Sequence, residues 1–121
     1  MAWILIADDD PDFSSQLALV LRNAGHEVLS CANGKDAIAS LYAFPADLVI
    51  LDMRMAYTMD GLDTLRQLRS RRNSPLPDVL VVSSLDEHSE DLRRAATQMG
   101  ILGWLRKPVN PEEVLHRIAS L

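Results

Sequence analysis

The sequence predicts a doubly wound α/β domain: a five-stranded parallel sheet in the order 2-1-3-4-5, with helices on both faces. Three observations predict it. Short apolar runs alternate strictly with helical patterns, five of each, along 121 residues. Such alternation calls for parallel strands joined by right-handed crossovers. The first, third and fourth runs are apolar at every position, as expected of strands covered on both faces. The second carries Glu27 and Ser30 and the fifth carries Gly103 and Arg106, so these two belong at the edges.

The elements follow in order. Ile4 to Ala7 is the first strand. Asp10-Pro11 then supplies an N-cap and a first helical proline. Phe13, Leu17, Val20, Leu21 and Ala24 recur at helical spacing until Gly25 stops the helix. Glu27 to Ala32 is the second strand and Lys35 to Tyr42 a short helix. Leu48 to Leu51 is the third strand. A loop from Asp52 to Asp60 leads to a helix carrying Leu62, Leu65 and Leu68. Residues 73–77, with two prolines, break the chain. Val79 to Val82 is the fourth strand, and Leu92, Ala95, Ala96 and Met99 mark a helix that Gly100 ends. Leu102 to Arg106 is the fifth strand. Asn110-Pro111 repeats the cap signal, and Val114, Leu115 and Ile118 line the last helix. The resulting strand order is the flavodoxin-like one of the two common doubly wound orders.

Composition narrows the function. At 48% hydrophobic and 24% charged residues, the chain is globular rather than disordered. The length predicts one domain, residues 1–121. A net charge of −5 argues against direct grip on nucleic acid or an anionic membrane. The apolar run Trp3 to Ala7 near the start of the chain is too short to span a bilayer and lacks the basic flank of a signal peptide. One cysteine, Cys31, excludes an internal disulfide and a cysteine-based zinc site, and reads as a small buried core residue. The cytoplasm is the expected compartment. Arg66, Arg69, Arg71 and Arg72 form the one basic cluster. It reads as a solvated helix end where cations suit the dipole.

Ligands of open α/β sheets bind beyond the carboxyl ends of the strands, where strand order reverses. Asp8-Asp9-Asp10 follows the first strand, Asp52 the third, Ser83-Ser84 the fourth and Arg106-Lys107-Pro108 the fifth. Hydrophobic patterning requires none of them there. With Asp10 used as a cap, Asp8 and Asp9 face Asp52. Carboxylates this crowded repel one another and favour a hard cation. Mg²⁺ takes one or two carboxylates directly and leaves room for a phosphoryl oxygen. A carboxylate is also a nucleophile toward phosphorus. Lys107 and a serine hydroxyl suit the far side, where developing negative charge needs donors.

The chain resembles the receiver domains of two-component response regulators, chemotaxis-regulator-like, over nearly its whole length. The matching stretches are residues 4–10, 47–55, 59–61, 81–84 and 103–108, ending in Gly103-Trp104-Leu105-Arg106-Lys107-Pro108. The resemblance implies a phosphoacceptor switch: Asp52 takes a phosphoryl group from a histidine kinase or phosphotransfer protein. It implies Mg²⁺ held by the side chains of Asp9 and Asp52 and the Arg54 main-chain carbonyl, with Asp8 acting largely through water. Ser83 matches the hydroxyl that meets the phosphate, Lys107 the phosphate-binding lysine, and Trp104 the aromatic switch position. The Lys107–Pro108 bond is expected to be cis. An output domain or partner protein would read the face built from the fourth helix, fifth strand and fifth helix, and a phosphorylation-dependent dimer is a further form. Such a switch is no enzyme beyond its own phosphotransfer and dephosphorylation.

This sequence departs from the family pattern in three places. Met55-Ala56 stands where Met-Pro is usual. Nine positions, rather than eight, separate Asp52 from Gly61. Trp104 is bulky for a ring that swings inward, and a fixed, partly buried aromatic is the competing reading. Arg54 and Leu85 flank the expected approach of water, and neither positions one, so a long-lived phosphate is expected. Met53, Met55 and Met59 are expected to pack beneath the site, and His26, His88 and His116 to lie on loops or helix surfaces. Two rival functions compete with this reading. A haloacid-dehalogenase-like phosphatase would use Asp8 and Asp10, but needs a larger fold and leaves Asp52 idle. A phosphorylation-independent adaptor would not need the intact acid, serine and lysine set. Residue 121 ends the last helix, so no output domain is expected to follow within this sequence.

Overall fold

The computed structural model describes residues 2–53, 61–70, 76–84 and 90–120. The strands are β1 (Trp3–Ala7), β2 (Glu27–Cys31), β3 (Leu48–Leu51), β4 (Asp78–Ser83) and β5 (Gly103–Arg106). The helices are α1 (Pro11–Asn23), α2 (Gly34–Ser40), α3 (Gly61–Ser70), α4 (Glu90–Gln98) and α5 (Pro111–Ala119). All four strand pairs are parallel, in the order β2-β1-β3-β4-β5.

The period-two alternation of strand side chains divides the core into two layers. Leu5, Ala7, Val49, Leu51, Val79 and Val81 face one way, against Ala37 and Leu41, Leu65 and Leu68, and Ala96. Ile4, Ile6, Leu48, Ile50, Leu80 and Val82 face the other way, against Leu17, Ala18 and Leu21 of α1 and Val114 of α5. Helices α2, α3 and α4 thus cover one side, and α1 and α5 the other. Every residue of β3 is buried, which explains its uninterrupted apolar run. No helix among the described residues is long and apolar enough to cross a membrane.

Local chemistry sets the helix ends. The Asp10 carboxylate accepts from the backbone N–H groups of Asp12 and Phe13, with Pro11 opening α1. Asn110 caps α5 in the same way through Glu113 N–H. Gly25 and Gly100 follow α1 and α4 with φ of 96° and 87°, the left-handed region glycine enters without a Cβ penalty.

Several boundaries differ from the sequence reading. Helix α2 starts at Gly34, because Asn33 caps it through Asp36 N–H at 2.8 Å. It ends at Ser40 in a turn, with Tyr42 N–H bonded to Ala39 O and Ala43 N–H to Ser40 O. Apolar Leu41 and Tyr42 had carried the helical pattern past that turn. Strand β2 stops at Cys31, one residue short, and β5 begins at Gly103 rather than Leu102. Strand β4 is longer than expected and includes Ser83. Cys31 packs against the core layer from the edge strand, as expected, but is half-buried rather than fully buried. The predicted loop from residue 54 onward, with Arg54, Met55, Ala56, Met59 and Asp60, lies outside the described residues, as do Arg71, Arg72, Leu85, His88 and the side chain of Leu92.

Candidate functional site

The sheet ladders continue one residue past the strand ends and fix the backbone of Asp8, Asp52 and Lys107. Asp8 N–H bonds to Cys31 O at 3.0 Å, Asp52 N–H to Ala7 O at 2.9 Å, and Lys107 N–H to Ser83 O at 2.8 Å. The Lys107–Pro108 peptide is cis. Asp8, Asp52, Ser83 and Lys107 therefore share the carboxyl rim of the four central and flanking strands, although Asp8 and Lys107 stand 99 positions apart.

Asp8 is 5% exposed, Asp52 4% and Ser83 0%. Buried carboxylates require partners, and Lys107 supplies one. Its Nζ donates to Asp8 Oδ2 at 2.7 Å and lies 3.4 Å from Asp52 Oδ2. Asp8 Oδ1 accepts from Asp10 N–H at 2.9 Å. Both oxygens of Asp8 are thus engaged, which the sequence reading, with its lysine on the side away from the metal, did not foresee. Burial pushes the Asp8 carboxyl above its usual range. The bonds from Lys107 and Asp10 N–H oppose this, and the Asp52 charge adds to it. For Lys107, burial pulls the other way, but the Asp8 bond and the charges of Asp52 and Asp8 win and raise the ammonium above its ordinary value.

Asp8, Asp9 and Asp52 each offer a carboxylate oxygen, and these three atoms lie within 4.8 Å of one another. Two buried anions and one exposed one, converging on one small volume, fit a hard divalent cation of the Mg²⁺ type. The Ser83 hydroxyl is fully buried and finds no hydrogen-bond partner among the described residues. An orphaned buried donor is costly, and here it stands at the rim of an acid cluster. Arg54, the remaining predicted metal ligand, is outside the described residues.

Trp104 is half-buried and packs against the layer covered by α2, α3 and α4. The Arg93 guanidinium of α4 stands 5.9 Å from the centre of its ring. Beneath the site, Met53 is buried as expected. His26 lies in the turn before β2, its Nδ1 accepting from Ala2 N–H, and His116 lies on α5. Neither belongs to the acidic rim.

Two residues with structural consequences at this end of the molecule escaped the sequence reading. Phe13 has the spacing of a core residue, yet its ring lies 4.5 Å from Lys107 Nζ. Its place three residues after a capping aspartate, next to an acid pair, is the only local hint. Arg69 is not a free, solvated cation. It donates to Met99 O, Pro77 O and Gly100 O at 3.0, 3.0 and 2.6 Å, binding the end of α3 to the end of α4 and the loop before β4. Arg66 keeps the solvated role, exposed and 3.4 Å from Asp63. Nothing in the spacing separates these two arginines.

Residues 4–119 match the family described as the response regulator receiver domain. The chain is 31% identical to protein PilH of Pseudomonas aeruginosa, over all of this chain and 98% of that protein. It is also 31% identical to the DNA-binding response regulator MtrA of Mycolicibacterium smegmatis, over 97% of this chain but 49% of that protein. The chain thus spans about half the length of some of the curated relatives it matches. Among solved structures, the Vibrio cholerae chemotaxis protein CheY4 superposes with a TM-score of 0.87 at 28% identity, covering 99% of this chain and 98% of that one. The BeF3-activated N-terminal receiver domain of Klebsiella pneumoniae RstA gives 0.79 at 26% identity, covering 97% and 95%.

Proposed function

This chain belongs to the response regulator receiver domain family and has a phosphoacceptor signalling role, and from that premise we propose that its acceptor is the Asp52 carboxylate, served by Lys107, Ser83 and Mg²⁺. The observation that carries the proposal is the Lys107 ammonium held between Asp8 and Asp52 at 2.7 and 3.4 Å, at the meeting point of three carboxylates. Asp8, Asp9, Asp52 and the main-chain carbonyl of Arg54 are the proposed metal ligands. Bound there, Mg²⁺ neutralises the phosphoryl oxygens and relieves the repulsion among the aspartates.

An Asp52 oxygen attacks the phosphorus of a phosphohistidine on a histidine kinase or phosphotransfer protein. The P–N bond breaks, its electron pair returns to the imidazole, and a mixed anhydride forms at Asp52. Lys107 already lies beside Asp52 Oδ2, so its charge faces the transferred oxygens without crossing the site. The Ser83 hydroxyl, with no partner among the described residues, is a donor available to the new phosphoryl oxygen. Its capture, with Trp104, is the proposed route by which α4, β5 and α5 report phosphorylation to an output domain, a partner protein or a second copy. The chain catalyses only its own phosphotransfer and dephosphorylation. Residues 1–121 act as one receiver unit, in the cytoplasm where such kinases deliver phosphate.

Acetyl phosphate with Mg²⁺ tests the assignment. The wild type should take up one phosphoryl group and Asp52→Asn none. Stoichiometric labelling of Asp52→Asn would overturn it.

A further inference from the structure

The Lys107 ammonium has three donor directions. Asp8 Oδ2 takes one at 2.7 Å and Asp52 Oδ2 lies along another at 3.4 Å. The Phe13 ring covers a further side, its centre 4.5 Å from Nζ, well inside the range of a cation–π contact. The Lys107 side chain is only 14% exposed, so the ring takes a side of the ammonium that water would otherwise solvate. Phe13 is itself fixed. Its N–H is bonded to the capping Asp10 carboxylate at 3.2 Å, and its side chain packs against the core layer beneath α1.

Resting on the reading of Asp52 as acceptor, we infer that Phe13 is a positioning residue for phosphoryl transfer. The negative face of its ring holds the Lys107 ammonium toward Asp8 and Asp52. Without it, the flexible lysine stem samples hydrated positions away from Asp52. The ring touches neither the phosphoryl donor nor the reacting carboxylate; it acts through Lys107. The chemistry is unchanged: with acetyl phosphate, the P–O bond to acetate breaks, acetate leaves with the electron pair, and a P–O bond to Asp52 forms.

The test varies the ring's charge without varying its shape. Phenylalanine at position 13 is replaced site-specifically by 4-fluoro-, 3,5-difluoro- and 3,4,5-trifluorophenylalanine, and also by Leu and Tyr. Initial rates of Asp52 phosphorylation by acetyl phosphate with Mg²⁺ are followed by intact-protein mass spectrometry. The logarithm of the rate should fall linearly with fluorination, with the trifluoro form about fivefold slower than wild type. Phe13→Leu should be slowed by a similar factor and Phe13→Tyr should restore the rate. A ring serving only as bulk would give a flat fluorination series, and that result overturns the inference while wild-type labelling at Asp52 leaves the acceptor assignment standing. Wild-type protein that takes no label at Asp52 overturns both.

Discussion

Asp8 and Lys107 carry pH signatures of the same sign in different windows, because both titrate above their ordinary values in the fold. The folded Asp8 carboxyl titrates above its ordinary 3.8, so the native state keeps a proton that the unfolded chain has already released. Stability in metal-free buffer should therefore fall as pH rises through the window above 3.8. Lys107 titrates above 10.5 in the fold. Its contribution is fully present below 10.5 and is lost as pH rises through the folded value. Lys107→Met leaves the Asp8 charge buried without its cation, which costs about 3 kcal/mol at neutral pH. In urea titrations across pH, the gap between wild type and Lys107→Met should close above pH 10.5. A gap that persists undiminished there would show that the ion pair is not what the substitution removes.

At the scale of elements, two contacts set how the helices meet the site. Gly61 begins α3 against the rim, and a Cβ there would overlap the Met53 backbone and the Asp52 carbonyl. Backbone cannot give way as a side-chain tip does, so Gly61→Ala should cost about 2 kcal/mol or more and slow phosphorylation as well. Unchanged melting and labelling would contradict that packing. Arg69 gathers three carbonyls that terminate other segments. Hydrogen bonds from charged donors are the stronger kind, so Arg69→Met should lower stability by about 1–3 kcal/mol in urea unfolding, with Arg66→Met within about 0.5 kcal/mol of wild type. Equal effects at the two positions would restore the picture of one solvated cluster. The contrast also marks what a sequence makes legible. Caps at Asp10 and Asn110, stops at Gly25 and Gly100, and buried strands free of polar residues are local chemistry and were readable. The strand ends that bring Asp8, Asp52, Ser83 and Lys107 together were readable too, because the topology rule converts order along the chain into proximity. Arg69, the Phe13–Lys107 contact and the Arg93–Trp104 contact depend on side chains meeting from distant elements. Periodicity gives only the face of a helix, never the partner of its long side chains.

For the whole molecule, the central feature is a stable two-layer core that holds repelling carboxylates at one rim. A ligand that binds only the native state stabilises it by mass action, about 2.7 kcal/mol at a hundred times its Kd. Millimolar Mg²⁺ should therefore raise the melting temperature. Asp9→Asn should raise the metal-free value and shrink the Mg²⁺ increment, since it removes one of three crowded charges. Identical melts with and without Mg²⁺ would count against a metal site there. The central claim, that Asp52 is where phosphate is carried, is tested most directly by trapping the modified residue. Protein treated with acetyl phosphate and Mg²⁺ is reduced with borohydride, which converts an aspartyl phosphate to homoserine, and the chain is mapped by peptide mass spectrometry. The account predicts homoserine at position 52 and aspartate at positions 8, 9 and 10. Homoserine at any of those three with position 52 still aspartate would contradict it.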